Sequence, residues 1–140
     1  MLIPDVNVLI AARRIDHPDH EVAHRWLEAT TAGPLGLPDF VLASTLRLLT
    51  NPRVFVTPEP APAAIAYVRA LVAAPGAHVL HGGTSDWTRF LDLVEALSLV
   101  ANDIPDALLA ATALGLHATL ITFDQGFRKY PGLRWAPPGS

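Results

Sequence analysis

The sequence has no cysteine, so disulfides and thiolate metal sites are excluded. It has a single lysine, Lys129, and its other basic residues are arginines. The formal net charge is −3, which is not the balance of a protein that coats nucleic acid through its global charge. If the substrate is a polyanion, a local arginine patch or bound cations must offset the acids; arginine suits bidentate phosphate contact. No apolar run approaches the roughly 18 residues that a membrane helix needs. The apolar start MLIPDVNVLIAARR is interrupted by Asp5 and Asn7 and has no basic leader. The expectation is a cytoplasmic protein with no membrane partner. Aromatics are few, and Trp26, Trp87 and Phe90 fall on helical faces, where they suit core or subunit contacts better than base stacking.

What is present is a chain of 140 residues, 51% hydrophobic and rich in Ala, Leu and Val. That is enough for one domain over residues 1–140 with a real core. LIPDV reads as a short buried strand, although Pro4 removes a ladder donor and belongs at edges or strand ends. NVLIAARR starts a helix. Residues 18–31 form an amphipathic helix with Val22, Ala23, Trp26, Leu27 and Thr30 at helical spacing, and Gly33 ends it. LGL is a short strand, and DFVLASTLRLLT a helix that stops before Asn51-Pro52. Residues 61–74 form a helix closed by Pro75-Gly76. AHVL is a strand. TSDWTRFLDLVEALSLV is a helix capped by Thr84 or Ser85, and IPDALLAATALGL another, with Pro105 in its first turn and Gly115 near its end. ATLITF is the clearest strand, DQGFRKY a helical turn and LRW a last strand. Residues 136–140 read as a frayed tail. Alternating strands and helices imply an α/β layer fold, with a mostly parallel sheet and helices on both faces.

Residues 20–24, HEVAH, are a literal H-E-x-x-H. On a helix that spacing can put two imidazoles on one zinc ion, with Glu21 as general base. Such a site needs a third ligand and a buried helix. His78 and His81 bracket a strand as surface or turn residues. His117 sits at a helix exit, where an imidazolium suits the dipole. No third histidine stands at a recognised spacing, and His20 and His24 are placed on the wet side of their helix. The zinc peptidase is therefore the remote alternative.

In open parallel sheets, ligands bind beyond the carboxyl ends of the strands. Asp5 ends the first strand, with Asn7 two residues on. Asp124 ends the clearest strand, next to Thr122. Asp106 opens the PDALLAA helix, with Asp103 nearby. Each alone has an ordinary reading as a helix cap, worth about 0.3–1 kcal/mol. Together, three carboxylates on one edge repel one another unless a cation intervenes. A hard divalent ion, Mg²⁺ or Mn²⁺, suits oxygen ligands, and with a bound water it suits phosphodiester hydrolysis.

LIPDVNVLI, NDIPDALLAATALGLHATLITFDQGF and YPGLRW resemble the PIN-domain ribonucleases, in particular the toxin subunits of VapBC-type toxin–antitoxin pairs. VLASTLRLLTNPRVF is similar to the helix and loop of one branch of that family. The resemblance runs over nearly the whole chain. It implies a PIN-like three-layer fold with a small, mostly parallel sheet flanked by helices, in a homodimer. It also implies Mg²⁺- or Mn²⁺-dependent endoribonuclease activity restrained by a cognate VapB-type antitoxin. By the resemblance, Asp5, Asp106 and Asp124 match the metal-binding acids, and Asn7 and Thr122 the residues that orient them. The family usually has a glutamate three residues before the arginine that here is Arg47, and Ser44 stands in its place. Serine is a far weaker magnesium ligand. Either three acids suffice, or Asp103 partly substitutes, or activity is reduced. An acid often found before the Phe of T-x-D-x-x-F is here Gly126. Arg13, Arg14 and Arg47 are the candidates to hold the RNA backbone, although each alone also suits solvated surface. The rival readings are a degenerate PIN domain that binds RNA or a protein with little cleavage, and a DNA or flap nuclease on a similar acid cluster.

Overall fold

The structure is a computed structural model that describes all 140 residues. Five strands, β1 (Leu2–Pro4), β2 (Leu35–Pro38), β3 (Ala77–Leu80), β4 (Thr119–Ile121) and β5 (Arg134–Ala136), form one sheet in the order β3-β2-β1-β4-β5. Every pairing is parallel, so the sheet is wholly rather than mostly parallel. Six helices connect the strands: α1 (Val6–Arg13), α2 (His20–Thr30), α3 (Asp39–Leu49), α4 (Ala61–Ala73), α5 (Thr84–Ala96) and α6 (Asp103–Gly115). The chain steps from β1 to β2 to β3 in one direction, then crosses back to β4 and β5. Parallel crossovers share one hand, so α1–α4 cover one face and α5–α6 the other. The packing agrees: α1 lies on α2 and α3, α3 on α4, and α5 on α6.

The core follows from the apolar strands and the alanine-rich helix faces. Ile3, Leu35, Leu37 and Leu120 on the sheet meet Val8, Leu9 and Ala11 of α1 and Ala107, Ala110 and Ala111 of α6, all buried. Small residues on α1 and α6 let both helices lie close to the strands. No helix is long and apolar enough to cross a membrane.

Pro4 does sit in a strand with neighbours on both sides, but at its end. Alternate residues of a strand face opposite neighbours. Leu2 donates to Pro34 on the β2 side and Asp5 to Ile121 on the β4 side, so the missing donor of Pro4 faces β2. On β2, Leu35 donates to Gly76 on the β3 side, so the missing donor of Pro38 faces β1. The β1–β2 pairing is accordingly confined to Leu2 and Leu35, whereas β2 and β3 pair over four residues.

Three sequence expectations change. The helix expected to run to Val100 ends at Ala96, because Ser98 adopts a left-handed φ of 51°. Residues 136–140 are not splayed: Ala136 pairs with Ile121, Pro138 is buried, and Gly139 lies against Val22. Val22, expected on the buried face of α2, is 38% exposed; the inward face is built on Ala23 and Leu27.

One close approach gives a stability prediction. A Cβ on Gly76 would lie 1.9 Å from the Gly33 carbonyl oxygen. The Gly76 N–H donates to Thr31 and its carbonyl accepts from Leu35, so the backbone has no room to retreat. Gly76→Ala is expected to destabilise the fold by about 2–3 kcal/mol, read as a lower urea midpoint at unchanged m.

Candidate active site

The strand order reverses between β1 and β4, which is where open parallel sheets place their ligands. Asp5 leaves β1 there as the cap of α1. Its Oδ1 accepts from the Val6 N–H at 2.7 Å. Its Oδ2 accepts from the Thr122 hydroxyl at 2.7 Å and from Asn7 Nδ2 at 3.1 Å. Thr122, fully buried, also accepts from Asn7 Nδ2 and from the Asp124 N–H. Asn7 Oδ1 in turn accepts from the Phe123 N–H at 3.3 Å. One network thus fixes the ends of two strands distant in sequence.

Burial pushes the Asp5 carboxyl above its ordinary range, against the hydrogen bonds from Thr122 and Val6, and the nearby Asp124 charge adds to the rise. Asp124 caps the 3₁₀ turn Gln125–Lys129 through Oδ1, which accepts from the Gly126 N–H at 2.7 Å. Both caps are therefore real, and each occupies one carboxylate oxygen with a backbone amide. Asp106, in the first turn of α6, differs: neither a hydrogen bond nor an ion pair within the protein holds it. Its carboxyl is pushed up to about 6, first by burial, then by the charges of Asp5, Asp124 and Asp103, with Lys129 opposing. Tyr130 is displaced upward by burial and by Asp106, Asp103 and Asp124. Four acids share one field at this edge.

That field is not a finished metal cage. No three acidic or histidine side chains in the protein are drawn close enough to make a ready ligand set. The chemistry of the donors fits a hard divalent ion all the same: they are carboxylates, Asp106 is unpaired, and the single cation beside them, Lys129, is engaged by Asp103. Magnesium commonly takes one or two carboxylates and keeps its waters, so a full protein cage is not required.

The other expected residues are placed less uniformly. Asp103 Oδ1 is paired with Lys129 at 2.8 Å, so it is not a free replacement for the missing glutamate. Ser44 is half-buried on α3, and Arg47 is exposed near the end of that helix. Arg13 and Arg14 lie at the far end of α1 from Asp5. Arg13 pairs with Glu59, and Arg14 pairs with Asp16, donates to the Thr57 carbonyl and covers the Phe55 ring at 4.1 Å. They tie the 50–60 segment to α1 and do not join the acidic edge.

The HEVAH segment does not form a peptidase site. Glu21 is exposed and paired with Arg25, His24 faces Glu28, and no third ligand converges. His20 is not on the wet side: it is half-buried, with Nδ1 2.8 Å from the Ala11 carbonyl.

Sequence reasoning missed one group at the site, Lys129, although its being the single lysine, five residues beyond Asp124, was a signal. Asp39 and His81, 3.2 Å apart, also follow β2 and β3 at their carboxyl ends, and the strand-end rule would have picked them out, but nothing couples this pair to the acidic cluster.

Comparison with known proteins gives a consistent picture. Residues 2–133 match the profile of the PIN domain family. A VapC ribonuclease of Mycobacterium bovis is 44% identical over 140 residues, covering 99% of this chain and 95% of the relative. Ribonuclease VapC31 of Mycobacterium tuberculosis is 38% identical, covering 99% of each. Among solved structures, the VapBC2 complex of Rickettsia felis bound to a promoter DNA fragment superposes with a TM-score of 0.73 at 17% identity, over 97% of both chains. Mycobacterium tuberculosis VapC20, a toxin that cleaves the sarcin–ricin loop, gives 0.72 at 16% identity over 91% of this chain and 93% of that one.

Proposed function

The chain belongs to the PIN-domain family, and within it to the VapC ribonucleases; on that footing we propose that it is a Mg²⁺- or Mn²⁺-dependent endoribonuclease, the toxin of a toxin–antitoxin pair. The observation that carries the cation dependence is the Asp106 carboxylate, unpartnered and held up at about 6 among Asp5, Asp124 and Asp103. An RNA phosphate cannot settle against such an edge unless positive charge intervenes.

Asp5, Asp106 and Asp124 are the residues that would hold the ion, with Asp103 at the margin. A divalent ion supplies a polarising centre for a phosphate oxygen and a coordinated water of lowered pKa. The protein's part is positioning. Thr122 and Asn7 fix the Oδ2 atom of Asp5, and the Asp5 and Asp124 caps lock both carboxylates to helix starts. Asp106 is left without a competing donor. Lys129, paired with Asp103, places the one lysine beside the cluster, where it can turn to a substrate phosphate.

Two features favour a second reading, a PIN domain that binds RNA or protein with little cleavage: Ser44 in place of the usual glutamate, and Asp103 engaged by Lys129. The partner we infer is a VapB-type antitoxin, a reading supported by the VapBC complexes among the fold's neighbours. Action in the cytoplasm as a homodimer belongs to the same reading. Trp87 and Leu91, more than half exposed on α5, are available for a subunit contact.

The test is cleavage of structured RNA with Mn²⁺, with Mg²⁺ and with EDTA. Cleavage should require the metal and fall by roughly 100-fold or more in Asp5→Asn, and Glu21→Gln should match the wild type. RNA retained without cleavage at any metal concentration supports the degenerate reading. Cleavage that persists in EDTA and in Asp5→Asn rejects both the cation and the site.

A further inference from the structure

The 3₁₀ turn Gln125–Lys129 ends on two successive cations, Arg128 and Lys129, a few residues beyond Asp124. The arginines that the sequence favoured for the RNA backbone lie elsewhere. Arg13 and Arg14 are committed to Glu59 and Asp16. Asp39 opens α3, and Arg47 stands eight residues further along it, about 12 Å down the axis.

Both cations of the turn are exposed. Arg128 has no carboxylate partner; its Nη2 donates to Gln125 Oε1 at 2.8 Å, which draws the guanidinium back toward the start of the turn. Lys129 Nζ donates to Asp103 Oδ1 at 2.8 Å. Asp103 begins α6, and Asp106 follows three residues later on the same face, about 4.5 Å further along the axis. The ammonium thus stands about one helical turn from the unpaired carboxyl, and its charge favours the ionised form of that group.

The turn does not need this ion pair to stay in place. Phe127 and Tyr130 are buried, with ring centroids 5.7 Å apart. The Tyr130 hydroxyl donates to the Asp103 carbonyl at 3.4 Å, and Asp124 caps the start of the turn. The side chains of Lys129 and Asp103 are 35% and 47% exposed, and a pair so open to water is weak and screened by salt. A phosphate offers lysine the same anionic oxygens as the aspartate does.

We propose that this turn holds the RNA backbone: Arg128 and Lys129 take phosphates beside the scissile one, and Asp103 holds the lysine in the RNA-free protein as a stand-in for its phosphate. The proposal rests on the ribonuclease reading of the acidic edge. It gives Asp103 a positioning role distinct from ion binding: the carboxylate keeps the ammonium off Asp106 and surrenders it when RNA arrives. Only partners are exchanged, and the contact carries no base specificity.

Fluorescence anisotropy with a labelled hairpin RNA in Mg²⁺ tests this on the Asp5→Asn protein, in which slow cleavage preserves the probe. Lys129→Gln should bind roughly tenfold more weakly and flatten the slope of log K against log salt by about 0.7–0.9. Arg128→Gln should weaken binding by about threefold or more, and Lys129→Arg should stay within about twofold of its parent. Asp103→Asn should bind about threefold more tightly, with the slope unchanged. Each variant should melt within about 2 °C of its parent. With Asp5 intact, Lys129→Gln should raise KM for cleavage and leave kcat within about twofold. The proposal is overturned by unchanged affinity and salt slope in Lys129→Gln, by weaker binding in Asp103→Asn, or by no RNA binding in the parent. If the chain with Asp5 intact fails to cleave while Lys129→Gln still binds weakly with the flatter slope, the holding turn stands and the cleavage reading falls.

Discussion

Asp106→Asn is expected to abolish RNA cleavage while making the metal-free protein more stable at neutral pH. The two effects have one cause. Asp106 opens α6 with no donor of its own, and burial together with Asp5, Asp124 and Asp103 holds its carboxyl at about 6 against an ordinary 3.8. A carboxyl with a raised folded pKa binds its proton more tightly when folded, so ionising it costs folding free energy. That cost is absent below about pH 3.8, grows between 3.8 and 6 and is complete above about 6. Asparagine keeps the shape and removes the charge. The side chain is partly open to solvent, so the unscreened shift overstates the gain, and on the order of 1 kcal/mol remains. In EDTA the variant should therefore melt about 2–4 °C higher at pH 7.5, and the gap should close below pH 4. Adding Mn²⁺ should stabilise the wild type more than the variant. Cleavage should fall by roughly 100-fold or more, because the proposed ion would lose a ligand that no other group in the protein engages. A variant that cleaves at the wild-type rate, or melts alike at every pH, would remove Asp106 from the site.

Thr122→Val should have the largest effect on stability and a large one on activity. Valine keeps the volume of this fully buried residue. The hydroxyl, however, is the shared centre of three contacts: it donates to Asp5 Oδ2 and accepts from Asn7 Nδ2 and the Asp124 N–H. Its loss deletes a charge-assisted bond and leaves two donors short of an acceptor beside a buried carboxylate. One such bond is worth about 1.5–3 kcal/mol, and a buried donor left unpaired about 1–3. Allowing for rearrangement, a loss of about 3 kcal/mol is expected in denaturant unfolding, with cleavage reduced at least about tenfold by misplacement of Asp5 and Asp124. Thr122→Ser, which keeps the hydroxyl, should restore most of the activity. If valine and serine behave alike, the hydroxyl is not what holds the site.

The acidic edge was legible because it follows from two local facts: where a strand stops, and which residue comes next. Asp5 follows a short apolar strand, and Thr122 and Asp124 follow ATLI, so the rule for parallel sheets brings them together without knowledge of the connections. The alanine spacing of α6 and the Pro-Gly stop after α4 were equally local. The partners of charged side chains were not. Arg13 and Arg14 depend on where the 50–60 segment returns, and no periodicity encodes that path. Lys129 depends on a 3₁₀ turn that brings it back over the start of α6. His20 was assigned to solvent because Val22, Trp26 and Leu27 were taken as the buried face of α2; its inward turn depends on α1 offering a carbonyl at Ala11, near the end of a helix.

The two prolines at the ends of β1 and β2 give the sheet a seam. Pro4 and Pro38 present their donorless nitrogens to each other's strand, so beyond the rung at Leu2 and Leu35 nothing in the backbone laces β3-β2 to β1-β4-β5. The molecule is thus two leaves bound along a short spine and held shut by side chains. The spacing of Asp39 from Asp5 is therefore set by packing in the shared core of Ile3, Leu35 and Leu37 more than by strand pairing.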